Sequence, residues 1–240
     1  MTKLLLLLFS GLKFAKLSKL LFSGGSMILS VFAYSLVFGW RYAAGFVGLL
    51  MIHEAGHYLA ARQRGLDVGL PTFIPFVGAW VELKQQPMDV ETEAYVGIAG
   101  PVAGTAGALA CFFLAKNYGS TLLLALAYAG FMLNLFNLIP LSPLDGGRIT
   151  AILSPRIWLL GMPILIALFV YRPSPMLILI GVLAAPQVWA VWRNRHEGNG
   201  ADYYRAPLST RVEYGLYYLV LVAFLALLSF DLHEQLAAFK

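Results

Sequence analysis

The sequence predicts an all-α polytopic membrane protein: six or seven transmembrane helices, an amphipathic amino-terminal helix, and a re-entrant extended or β loop after the second span. Three observations carry this. Apolar residues make up 60% of the 240-residue chain and charged residues 12%, with a mean hydropathy of +0.75, which is a membrane-protein balance. Apolar runs recur along the chain, most near the ~20 residues that cross a bilayer. Between the second and third runs, residues 66–93 break the helical pattern with Gly69, Pro71, Pro75, Gly78 and Pro87.

Residues 1–22 interleave leucine and phenylalanine with Lys3, Lys13, Lys16 and Lys19, the pattern of a helix lying in the interface. A short signal core at Leu4–Phe9 is the rival, but no small-x-small cleavage site leads into a soluble domain. Apolar runs follow at Gly24–Trp40, Ala43–Ala61, Ala94–Ala115, Ser120–Leu141, Ile157–Tyr171, Pro175–Trp192 and Tyr214–Phe230. The run from Ile157 is short and contains Pro163, so it and the next are open to forming one irregular hairpin; hence six or seven spans.

Segment 66–93 is rich in strand formers (Phe73, Ile74, Phe76, Val77, Trp80, Val81, Leu83). Extended backbone at membrane depth must be paired, buried or facing a wet cavity. Two readings stay open, a lipid-anchoring loop and an edge strand that pairs with an unwound substrate. The organisation is then 1–22, interfacial helix; 24–148, a core holding the second span, the loop and the fourth span; and 149–240, carboxy-terminal helices.

The formal net charge of +5 does not indicate nucleic acid, because the basic residues sit at the ends of apolar runs. With the amino terminus in the cytoplasm, seven alternating spans leave only Arg41, Lys116, Arg172 and Lys240 outside. Thirteen others, among them Arg62, Arg64, Lys84, Arg148, Arg156, Arg193, Arg195, Arg205 and Arg211, fall inside. Cys111, the one cysteine, excludes an intrachain disulfide and a cysteine-based zinc ribbon.

The chemistry concentrates at His53-Glu54-Ala55-Gly56-His57, inside the second apolar run. Ionisable residues at that depth are costly. On a helix His53 and His57 lie one turn apart on one face, so both imidazoles can reach one cation, while Glu54 is offset and suits a proton acceptor beside the metal. A chance pattern or a structural histidine pair is the alternative. In hydrocarbon, however, such a pair needs buried polar partners, whereas a metal uses both imidazoles. His53 lies about eight residues, or ~12 Å, before the cytoplasmic end of its helix.

A second stretch, Asn134 to Arg148, contains Pro140 and Pro143 and then Asp145-Gly146-Gly147. The prolines end a regular helix and the glycines free the backbone, so a break near Asp145 is expected. A break at membrane depth must line a polar site, and this one brings Asp145 toward the histidines as a third ligand; capping the following helix is the simpler role. The opening of the third run, Gly97 to Gly104 followed by Gly107, reads as close helix packing.

His53-Glu54-Ala55-Gly56-His57 together with Asn137-x-x-Pro140 and Leu144-Asp145-Gly146 resembles the site-2 protease family of intramembrane zinc metalloproteases. The resemblance runs from about Gly45 to Arg148, and the glycine-rich opening and the extended loop are similar to family features. It implies one zinc ion per chain held by His53, His57 and Asp145, Glu54 as general base, and Asn137 steadying substrate or oxyanion; Asn134 has no counterpart in the pattern. It implies hydrolysis of a peptide bond in or near a transmembrane segment of a membrane-protein substrate. The expected setting is a prokaryotic plasma membrane, and the lysine and arginine bias puts the site within reach of the cytoplasm. Neither a PDZ domain nor a CBS pair fits, since the longest polar stretch is Arg193–Arg211; a minimal form is expected.

The expected partners are therefore a transmembrane protein and the lipid bilayer, not nucleic acid, with self-association left open. A prenyl-protein type peptidase would need a downstream glutamate ligand, but Glu82, Glu91 and Glu93 are in the loop region and Glu213 is at a span's edge. The other alternative is a non-catalytic metal-binding membrane scaffold or carrier. Against it stands Glu54, a base that a purely structural site does not use.

Overall fold

The structure, a computed structural model, describes residues 2–81, 87–193 and 202–238. Glu82, Leu83, Lys84, Arg195 and Lys240, used in the readings above, lie outside the described residues, as do the side chains of Lys3, Lys13, Lys16 and Lys19. Among the described residues, eight α-helices and two short strands follow in order: α1 (Thr2–Phe38), α2 (Trp40–Gln63), β1 (Thr72–Ile74), β2 (Gly78–Trp80), α3 (Val90–Tyr118), α4 (Thr121–Asn137), α5 (Asp145–Thr150), α6 (Trp158–Tyr171), α7 (Pro175–Trp192) and α8 (Leu208–Ala237).

α1 runs unbroken from Thr2 to Phe38, so the stretch expected as a separate interfacial helix is continuous, from Thr2 on, with the run from Gly24. Gly39, at φ +81°, then turns the chain directly into α2. Leu21–Phe38, α3, α7 and α8 are each long and apolar enough to cross a membrane. Phe32, Leu36, Val182, Val220 and Leu227 point outward from these helices, a surface that suits lipid and not water.

α3 and α8 extend past the apolar runs that locate them. Asp89 explains the start of α3: its carboxylate accepts from Thr92 N at 2.7 Å, and Glu91 and Glu93 complement the helix dipole in the first turn. At the other end Gly119 takes the left-handed conformation, φ +62°. Residues 172–174 separate α6 from α7, which pack together as two distinct helices. Within 66–93, β1 and β2 form an antiparallel hairpin pairing Thr72 with Trp80 and Ile74 with Gly78. β1 packs on α1 and β2 on α2.

α4 ends at Asn137, because Pro140 disfavours helical backbone in the residue before it and has no N–H to give. The Leu138 carbonyl left at this end accepts from the Tyr218 hydroxyl of α8 at 2.7 Å. The chain then doubles back so closely that a Cβ on Gly146 would overlap the Leu138 and Ile139 carbonyls, and one on Gly147 the backbone of Leu141 and Ser142. The Trp158 indole donates to Gly147 O at 2.9 Å and fixes the turn from its other side. Asp145 thereby becomes the first residue of α5, aimed at α2.

Candidate metal centre

His53 and His57 project from the same face of α2, with their Nε2 atoms 3.1 Å apart. Asp145 reaches both: Oδ2 is 3.1 Å from His53 Nε2, and Oδ1 is 3.2 Å from His57 Nε2. All three side chains are buried. The break after α4 therefore brings Asp145 to the histidines, as the second stretch predicts, and it does so from the first turn of α5.

The histidine tautomers follow from their partners. His57 Nδ1 faces the Val96 carbonyl at 2.8 Å, an acceptor, so Nδ1 carries the proton. His53 Nδ1 faces Asn134 Oδ1 at 2.8 Å; Asn134 Nδ2 donates to Gly130 O at 2.7 Å, which turns the amide oxygen toward the imidazole. Both Nε2 lone pairs consequently point at each other and at a carboxylate. Three electron-rich donors converging in this way repel unless a proton or a cation stands between them, and the set fits a metal ion. Their ligand atoms all lie within 4.8 Å of one another. Two imidazoles and one carboxylate are a catalytic zinc set with a coordination position to spare.

Glu54 is buried beside them, and with Asn137 it lines the same cleft of about 290 Å³. Val77, Gly78, Ala79 and Val81 form part of that cleft, so the hairpin borders the cluster. Leu179, Ile180 and Leu183 of α7 bring apolar side chains to it. All five residues singled out in the sequence, His53, Glu54, His57, Asn137 and Asp145, thus meet at one place.

Asn134, three residues before Asn137, is the residue that sequence reasoning missed. It is fully buried and bonded to a histidine of the cluster. The available signal was an amide in the middle of an apolar helix, where an unpaired polar group is costly. The glycine stripe of α3 also does more than bring helices together. A Cβ at Gly100 would overlap the His57 ring, and one at Gly104 would overlap the Asn134 amide. Gly56 of α2 in turn admits the Ala99 backbone.

Residues 41–121 match the model of the family described as Peptidase family M50, which bears out the site-2 protease resemblance over α2 and α3. Asn137 and Asp145 lie beyond the matched residues, and the cleft joins them to it. A protein of Arabidopsis thaliana named "Probable zinc metalloprotease EGY1, chloroplastic" is 36% identical over 75 residues, 29% of this chain and 14% of its own length. A zinc metalloprotease of Methanocaldococcus jannaschii is 31% identical over 134 residues, 53% of this chain and 38% of its own. The matched part of this chain thus spans well under half the length of these curated relatives.

Proposed function

We propose that the chain is an intramembrane zinc metalloprotease that hydrolyses a peptide bond within or near a transmembrane segment of a membrane-protein substrate. The observation that carries this reading is the convergence of His53, His57 and Asp145 at 3.1–3.2 Å with an uncommitted carboxylate, Glu54, in the same cleft. Zinc bound by those three residues supplies Lewis acidity, which polarises a carbonyl and brings the pKa of water toward ~7.

The chain's own groups do the rest. Glu54 takes a proton from the attacking water and delivers it to the leaving amine. The Asn137 amide donates to the scissile carbonyl oxygen as charge develops there. His53 and His57 keep their Nε2 atoms on the cluster because Asn134 and Val96 hold the Nδ1 protons. An unwound stretch of substrate is needed, since a helix engages its own carbonyls, and the cleft-facing strand β2 offers backbone against which such a stretch can pair.

The surrounding assignments follow the same reading. Six or seven spans cross the bilayer, residues 2–22 continue the first of them within α1, and the cleft opens toward the cytoplasmic side of a prokaryotic plasma membrane. The test is cleavage of a transmembrane reporter by purified, zinc-loaded protein in lipid. Wild type should cut within the apolar segment, and Glu54→Gln should bind equal zinc and not cut. Equal zinc with no cutting by wild type on a panel of single-span substrates would favour a metal-binding scaffold or carrier.

A further inference from the structure

Arg148 is the one lysine or arginine among the described residues lining the cleft. It follows Asp145 by three positions on α5, so the two side chains share a face with the metal cluster. Its placement is built from three directions. The Arg148 stem lies against Gly97 of α3, where an added Cβ would come within 3.1 Å of Arg148 Cβ. One turn earlier on α3, Glu93 Oε1 stands 3.9 Å from Arg148 Nε. Glu93 is held by the Tyr203 hydroxyl, which donates to Oε2 at 2.5 Å, and the Tyr203 carbonyl accepts from Val90 N at 3.0 Å. The strap leading into α8 therefore fixes Glu93, and Glu93 fixes the guanidinium.

At 3.9 Å the Arg148–Glu93 contact is charge pairing and not a hydrogen bond. It is made at Nε, so it orients the group without engaging the two terminal amino groups. Those are the groups that hold a carboxylate in a bidentate pair. Peptide hydrolysis makes such a carboxylate: the C–N bond breaks, the carbonyl carbon keeps the water oxygen, and the new carboxyl is ionised at neutral pH while the amine takes up the proton. In an apolar cleft that new charge is costly without a partner.

We infer that Arg148, held by Glu93 and Tyr203, binds the carboxylate that hydrolysis leaves on the amino-terminal fragment of the substrate. The inference rests on the proteolytic reading above. Arg148 then acts on the product and governs how fast the cleft clears, a role separate from proton transfer by Glu54.

The test is equilibrium binding of a short apolar peptide to the zinc-loaded full chain in lipid, with the peptide carrying either a free carboxyl terminus or a carboxyl-terminal amide. Wild type should prefer the acid by about tenfold or more, the scale of a charge-assisted hydrogen bond. Arg148→Met should lower that ratio at least several-fold while leaving amide binding nearly unchanged; zinc is common to both proteins, so the change reports the guanidinium. Arg148→Lys should fall between. Should Arg148→Met fail to fold, modification of wild-type Arg148 by phenylglyoxal decides, with the acid protecting it and the amide not. An unchanged ratio in Arg148→Met, or no protection by the acid, overturns the inference. Failure of the proteolytic reading shows separately, as absence of turnover in wild type.

Discussion

The Asn134 side-chain oxygen lies 2.8 Å from Nδ1 of His53, joining α4 to α2 at residues 81 positions apart in the chain. Neither residue has a low-cost alternative at that depth: without the amide, the imidazole would turn or take the other tautomer. Asn134→Ala should therefore weaken zinc binding by about 10–100-fold, the usual scale for losing such a partner. Competitive chelation of the purified protein measures it.

Asn137, one turn further along α4, should behave in the opposite way. It faces the cleft and holds no histidine in place, so Asn137→Ala should keep its zinc and lose about 10²–10³ in kcat, the cost of one oxyanion donor. Metal content and turnover measured on the same preparation separate the two asparagines.

Gly100 and Gly48 make a second contrast. A methyl at Gly100 meets the His57 ring, whereas nothing lies within 4 Å of a methyl at Gly48. Gly100→Ala should displace His57, releasing zinc and costing about 1–3 kcal/mol of stability by overpacking. Gly48→Ala should be neutral or stabilise by about 0.4–1 kcal/mol, because alanine restricts the unfolded chain. Thermal melts with and without chelator read both.

The glycines illustrate how far the sequence could be read. The pair His53 and His57, one helical turn apart, and the proline-marked break before Asp145 are local patterns, and both predicted their geometry. The small-residue run from Gly97 to Gly104 announced close packing, but which side chains need the space depends on how α2, α3 and α4 are set against one another, and that is long-range information. Asn134 was hidden for the same reason, since its partner is on another helix. The ends of α3 and α8 were also hard to read, because polar capping turns such as Asp89–Glu93 carry no apolar signal. The hairpin of Thr72–Ile74 and Gly78–Trp80 was legible in its strand formers and turn residues.

Tyr203 offers a test by pH outside the spans. Burial and then its hydrogen bond to Glu93 push the phenol well above its ordinary value of 10.0. A pKa raised in the folded state stabilises fully below the unfolded value, and that contribution is lost as pH rises from there through the folded value. Stability should thus fall as pH climbs past about 10, and more gently in Tyr203→Phe. Melting curves of the two proteins from pH 8 to 11 check the slope; equal slopes would remove Tyr203 from the account.

The most direct measurement compares new protein termini, by mass spectrometry, in membranes from cells expressing wild type or Glu54→Gln at equal levels. The account predicts termini inside transmembrane segments that occur only with wild type, and each such terminus also names a substrate. Identical profiles under several stresses, with both proteins loaded with zinc, would contradict it.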